Sequence, residues 1–151
     1  MSEKQKLLIV DDSELNRDIL KEILGSRYDY MEAENGTQAI QILEVHPEID
    51  LMLLDINMPQ MNGFQVLEHM RELQWIDEVP VVMISSEESV EIMRKAYDLG
   101  ITDYISRPFD AVIVKKRVQN TLGLYANQKR LINVVVDPVS YTHLTLPTIL
   151  R

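Results

Sequence analysis

The sequence predicts an α/β domain with a doubly wound, five-stranded parallel sheet over about residues 5–124. Five short apolar runs alternate with five segments of helical periodicity, which is what parallel βαβ units with right-handed crossovers produce. The central runs are apolar throughout rather than alternating, as in strands covered on both faces.

Leu7-Leu8-Ile9-Val10 reads as the first strand. Leu15, Ile19 and Ile23, spaced by four, mark one face of a helix that stops at Gly25. Tyr28 to Ala33 is a weaker second strand, and Asn35-Gly36 opens a helix carrying Ala39 and Leu43. Leu51-Met52-Leu53-Leu54 is the third strand. The turn Met58-Pro59-Gln60-Met61-Asn62-Gly63 leads from it into a helix with Phe64, Leu67, Met70 and Leu73 at spacing three. Pro80-Val81-Val82-Met83-Ile84 is the fourth strand, and Val90, Met93 and Ala96 mark a helix ending at Gly100. Thr102-Asp103-Tyr104-Ile105 is a short fifth strand.

The last helix opens near Asp110 and is expected to run to about Asp137. Val118, Leu122, Tyr125, Ile132 and Val136 follow alternating four and three spacings, with Lys129 interrupting one seam position. Gly123 inside it costs about 1 kcal/mol relative to Ala, so a break there is an option. The helix is longer than the sheet requires, so 125–137 reads as a linker or signalling helix; an amphipathic helix folding back on the domain is the alternative.

The 151 residues hold 24 Asp and Glu against 15 Lys and Arg, a net charge of −9. The excess lies in residues 1–124, with 23 acids and 12 bases, which argues against direct nucleic-acid binding. Cysteine is absent, which excludes disulfides, thiolate metal sites and a Cys nucleophile. The apolar runs are too short to span a membrane and Met1 to Lys6 is polar, so a cytoplasmic protein is expected. No Gly-rich loop follows the first strand, which weighs against a nucleotide or flavin. His46, His69 and His143 show no ligand spacing.

Ligands of such sheets bind where the strands end. The first predicted strand ends in Asp11-Asp12, the third in Asp55, the fourth in Ser85 and the fifth near Arg107-Pro108. Carboxylates at adjacent strand ends raise one another's pKa unless a counter-charge neutralises them. A hard divalent cation with oxygen ligands, Mg²⁺ foremost, suits the set. Cation, hydroxyl and guanidinium together would clamp a phosphoryl group. Plainer roles exist for each residue. Asp11 and Asp12 can cap the following helix, and Ser85-Ser86-Glu87-Glu88 has the form of a capping box. Arg107 can be a surface arginine, and Tyr104 a core or edge aromatic.

The segments Leu8-Ile9-Val10-Asp11-Asp12-Ser13, Leu53-Leu54-Asp55-Ile56-Asn57-Met58-Pro59, Met61-Asn62-Gly63, Val82-Met83-Ile84-Ser85 and Asp103-Tyr104-Ile105-Ser106-Arg107-Pro108-Phe109 resemble the receiver domain of bacterial two-component response regulators. The resemblance implies a flavodoxin-like sheet in the order 2-1-3-4-5 with five helices, the last one extended. It implies that Asp55 accepts a phosphoryl group from a sensor histidine kinase or phosphotransfer protein. It further implies Mg²⁺ held by Asp12, Asp55, the backbone carbonyl of Asn57 and, through water, Asp11. Ser85 matches the hydroxyl that moves toward the phosphoryl group, Tyr104 the aromatic that follows it, and the fourth and fifth helices a possible homodimer face. The bond before Pro108 is a candidate cis peptide by the same resemblance.

Arg107 departs from the family's usual Lys: it keeps the charge but offers a larger, planar fork. A degenerate receiver serving as an interaction module is therefore a second reading. A small Mg²⁺-dependent phosphatase is a third, weakened by Asn57 where such enzymes tend to keep an acid. Leu124 to Leu131 resembles the linker of regulators with an HD-GYP-type cyclic-di-GMP phosphodiesterase domain. Val139 to Thr148 resembles a translated sequencing adapter, so 138–151 is expected to be an unstructured, non-native tail after a truncated gene.

Overall fold

The computed structural model describes residues 4–86 and 89–135, with side chains through residue 125. Its elements are β1 (Gln5–Val10), α1 (Glu14–Leu24), β2 (Tyr28–Ala33), α2 (Gly36–Val45), β3 (Leu51–Asp55), α3 (Gly63–Glu72), β4 (Val81–Ser85), α4 (Val90–Asp98), β5 (Asp103–Ser106) and α5 (Ala111–Val135). The strands form one parallel sheet in the order β2-β1-β3-β4-β5, the flavodoxin-like arrangement. The chain leaves β1 toward β2 on one side and leaves β3 toward β4 on the other, which creates a switch point between β1 and β3 where such folds place their ligands.

The apolar strands divide their side chains between two cores. Leu8, Val10, Met52, Leu54, Val81 and Met83 pack with Ala39, Leu43, Val66, Leu67, Met70 and Ala96 of α2, α3 and α4. Leu7, Ile9, Leu51, Leu53, Val82 and Ile84 pack with Leu20 and Leu24 of α1 and Val114, Val118 and Leu122 of α5. Burial on both faces is why β3 and β4 contain apolar residues without alternation.

The helices exist where expected, but not every anticipated face is the buried one. Leu15 is 68% exposed and Ile19 is also exposed, while α1 buries Arg17, Leu20 and Leu24. Residues spaced by four drift about 40° per step around a helix, so the line from Leu15 to Ile23 crosses from solvent to core edge. Spacing by three drifts the other way. In α3 the buried set is Gly63, Val66, Leu67 and Met70, and Leu73 is exposed.

In α5 the first seam positions, Val118 and Leu122, are buried against the domain's own sheet. The helix continues through Gly123 without a break to Val135. The expected continuation to Asp137 and the 138–151 tail lie outside the described residues. Among the described residues no helix is long and apolar enough to cross a membrane.

Polar caps fix where the helices begin. Ser13, Asn35, Asn62 and Ser89 each accept a backbone N–H of the first turn, and Asn62 forms a full capping box with Gln65. Asp110 does the same for α5, accepting from Val112 N (3.0 Å) and Ile113 N (3.1 Å). The other end of α3 is less well suited: after the C-cap Leu73, Gln74 has φ of 64°. A left-handed residue with a side chain costs about 1–2 kcal/mol. Gln74→Gly should therefore raise stability by about 0.5–1 kcal/mol in urea unfolding, despite glycine's greater unfolded entropy. A loss of stability would show that the Gln74 side chain holds the turn.

Candidate functional site

Four strand ends place the site. Asp11 directly follows β1, Asp55 ends β3, Ser85 ends β4, and Arg107 directly follows β5. In the pairing, Val10 lies beside Leu54, Asp55 beside Ile84, and Ser85 beside Ser106. One carboxylate oxygen each from Asp11, Asp12 and Asp55 falls within 4.8 Å of the others. Asp11 and Asp55 are buried, and Asp12 is exposed.

Asp11 is held on every side. Its N–H donates to Ala33 O of β2 (3.1 Å). Its Oδ1 accepts from Ser13 N (2.9 Å), and its carbonyl accepts from Arg17 Nη1 (2.6 Å). Asp55 Oδ1 accepts from Asn57 N (3.3 Å), which brings the peptide of Asn57 beside the carboxylates. Asn57 itself is exposed.

Arg107 reaches across the cluster. Its Nη2 donates to Asp11 Oδ2 at 2.6 Å and lies 3.1 Å from Asp55 Oδ1. Its Nε is buried with no hydrogen-bond acceptor. The surface-arginine role does not survive this geometry: one guanidinium faces two buried carboxylates and keeps its buried Nε–H without an acceptor. The Arg107-Pro108 bond is cis.

Burial pushes the Asp55 carboxyl up from its ordinary 3.8, and the charge of Asp11 adds to the rise. Arg107 and the Asn57 N–H oppose them, and the balance is a pKa of about 6. A carboxylate raised in this way seeks either a proton or a cation.

Ser85 is fully buried at the end of β4, and its carbonyl accepts from Arg107 N (3.0 Å). It does not cap the next helix. Ser89 does, accepting from Glu91 N (3.2 Å) and Ile92 N (3.4 Å). Sheet pairing extends through Ser85 and α4 starts at Val90, so Ser89 rather than Ser85 is its N-cap; Glu88, the other half of the expected capping box, lies outside the described residues. Tyr104 is 2% exposed, and its carbonyl accepts from Arg117 of α5.

Two features of the site escaped the sequence. Arg17 is 7% exposed and contacts the Asp11 backbone; its register with Leu20 and Leu24 was the available signal. Gly63 stands so close to the end of β3 that a Cβ there would lie 2.6 Å from Asp55 O. Its motif was visible, but the contact behind it was not.

Asp11, Asp12, Asp55, Ser85 and Arg107 thus gather at one edge, with the Asn57 backbone beside them and Tyr104 buried in the neighbouring strand. The arrangement groups oxygen donors that could hold a metal ion, a buried carboxylate and a guanidinium at one edge.

The model of the response regulator receiver domain matches residues 7–119. The chain is 35% identical over 120 residues to the chemotaxis protein CheY1 of Helicobacter pylori, covering 78% of this chain and 97% of that protein. It is 32% identical over 127 residues to a "Probable cyclic di-GMP phosphodiesterase" of Vibrio cholerae, covering 84% of this chain and 29% of that protein. Among solved structures, a chain of the CheX-CheY-BeF3-Mg²⁺ complex of Borrelia burgdorferi aligns with a TM-score of 0.72 and 30% identity, covering 77% of this chain and 87% of that one. The family match spans most of the described residues, and the chain belongs to the CheY-like receiver domains of two-component response regulators.

Proposed function

We propose that the domain is a phosphoacceptor switch: Asp55 takes a phosphoryl group from a histidine kinase or phosphotransfer protein in a Mg²⁺-dependent step. The observation that carries the reading is the Asp11-Asp12-Asp55 cluster facing a guanidinium with one buried, unpaired N–H. The donor set fits the cation, because all three side chains offer hard oxygen ligands. Asp12, Asp55 and the Asn57 carbonyl would hold Mg²⁺ directly, and Asp11 through water. When bound, Mg²⁺ neutralises charge on the transferring group.

The chain's own residues do the rest. A carboxylate oxygen of Asp55 attacks phosphorus, the P–N bond of the donor phosphohistidine breaks, and the imidazole leaves with its electron pair. The Arg107 Nε–H finds an acceptor in the new phosphoryl oxygen. Ser85 shifts toward that oxygen and Tyr104 follows, biasing a two-state element. In this reading the domain is a switch rather than an enzyme, works in the cytoplasm and does not itself bind nucleic acid.

The exposed Val90 and Tyr97 of α4 and Val112 and Ile113 of α5 support a homodimer face there. α5 reaching Val135 supports a division into a receiver to about 124 and a signalling helix beyond it. A cyclic-di-GMP phosphodiesterase output is in keeping with the Vibrio cholerae relative, of which the match spans 29%.

One observation favours the interaction-module reading: Arg107 already occupies Asp11 and Asp55. Intact mass after incubation with a small acyl phosphate and Mg²⁺ separates the two. One added phosphoryl group on the wild type, absent from Asp55→Asn, is the expected result. An unchanged wild-type mass would leave the interaction module as the reading.

A further inference from the structure

We propose that Arg17 is a positioning residue for the cation site, acting through the Asp11 carbonyl to hold Asp11 and Asp12 in their ligating arrangement. The inference rests on the phosphoacceptor reading above.

Arg17 lies on the core-facing side of α1 with Leu20 and Leu24, where an aliphatic side chain would join the apolar cluster. Its Nη1 instead donates to Asp11 O at 2.6 Å, and its Nε donates to Glu32 Oε1 of β2 at 2.7 Å. Glu32 is in turn held by Lys21 Nζ at 2.6 Å, so the guanidinium is aimed by a second ion pair. With Arg17 buried and Glu32 partly exposed, the cost of desolvating the guanidinium offsets much of the pair's attraction, so it does little better than a well-packed apolar side chain. Stability alone therefore gives little reason for a cation at this position.

The contacted atom supplies a reason. The Asp11 carbonyl belongs to the rigid peptide that joins Asp11 to Asp12. Fixing that plane fixes ψ of Asp11 and φ of Asp12, the two torsions that aim the neighbouring carboxylates. β1 ends at Val10, so this carbonyl lies beyond the strand, and Arg17 gives it a charge-assisted donor. The Asp11 N–H is already tied to Ala33 O and its Oδ1 to Ser13 N. Arg17 completes the restraint. Partners one step behind a ligand characteristically change metal affinity by about 10–100-fold when removed.

The test is Mg²⁺ titration by calorimetry on the full chain, beside thermal unfolding of each protein. Arg17→Met should raise the Mg²⁺ dissociation constant about tenfold, and saturating Mg²⁺ should restore most of the phosphorylation rate. Glu32→Gln, which alters a half-exposed partner and leaves the core intact, should weaken binding about threefold by loosening the guanidinium. It carries the test if Arg17→Met does not fold. A merely structural role would lower the melting temperature and leave the dissociation constant of the folded protein unchanged. Constants within twofold of a Mg²⁺-binding wild type in the folded variants would overturn the inference alone. A wild type that binds no Mg²⁺ would overturn it together with the site reading.

Discussion

Without divalent cation, Asp55→Asn should be more stable than the wild type by about 3 kcal/mol at pH 8 and by almost nothing at pH 4. The Asp55 pKa is raised to about 6 in the folded protein, against an ordinary 3.8. The folded state therefore binds the proton more tightly than the unfolded state. Its contribution to stability is fully present below about pH 4 and is lost as pH rises through about 6. A gap of that size is worth roughly 3 kcal/mol at about 1.4 kcal/mol per pH unit. Asparagine carries no charge at any pH, so the variant escapes the loss. Urea unfolding at pH 4, 6 and 8 would show the two curves separating as pH rises. Saturating Mg²⁺ should narrow the gap at pH 8, because a bound cation neutralises the same carboxylate. Parallel curves at all three values would mean that Asp55 is not held at a cost.

Gly63→Ala should cost about 1–3 kcal/mol of stability and slow phosphorylation at least about tenfold. A Cβ at position 63 would lie 2.6 Å from Asp55 O and 2.9 Å from Ile56 Cα, both backbone atoms that cannot rotate aside. The Gly63 N–H also donates to Ile56 O (2.9 Å), so the start of α3 is fastened to the residue after Asp55. Relief of the clash must move either α3 or the end of β3, and the second displaces Asp55, the proposed phosphoacceptor. Gly123→Ala is the contrasting control, since nothing lies within 4 Å of its Cβ position in α5. That change should add about 0.5–1 kcal/mol of stability. Equal effects at the two glycines, measured by urea unfolding and intact-mass time courses, would sink the close-approach argument.

Much of the fold was legible from local periodicity. The weak second strand, Tyr28–Ala33, has the bounds expected of it, and Gly25 ends α1 as anticipated. Helix orientation was harder to read, because Leu15 and Ile19 are as apolar as Leu20 and Leu24. Only docking against the sheet tells one stripe from the other. Ser85 posed a similar difficulty: the string after it suits a cap, and pairing with β5 removes it from that job.

Asp11, Asp12, Asp55, Ser85 and Arg107 were identifiable because a parallel sheet delivers all its strand ends to one edge, and alternation alone implies a parallel sheet. The order of elements and the chemistry at that edge are thus properties of the sequence by itself. Tertiary structure decided how the edge is wired. Arg107 meets Asp11 across 96 residues of chain, and Gly63 presses on the Asp55 backbone from another element. Arg17 shares the helix face of Leu20 and Leu24, but its contact with the Asp11 carbonyl exists only once α1 docks on the sheet. Contacts of this kind depend on ångström-scale distances between elements, set by how two apolar cores pack on one sheet, and local patterning does not encode them.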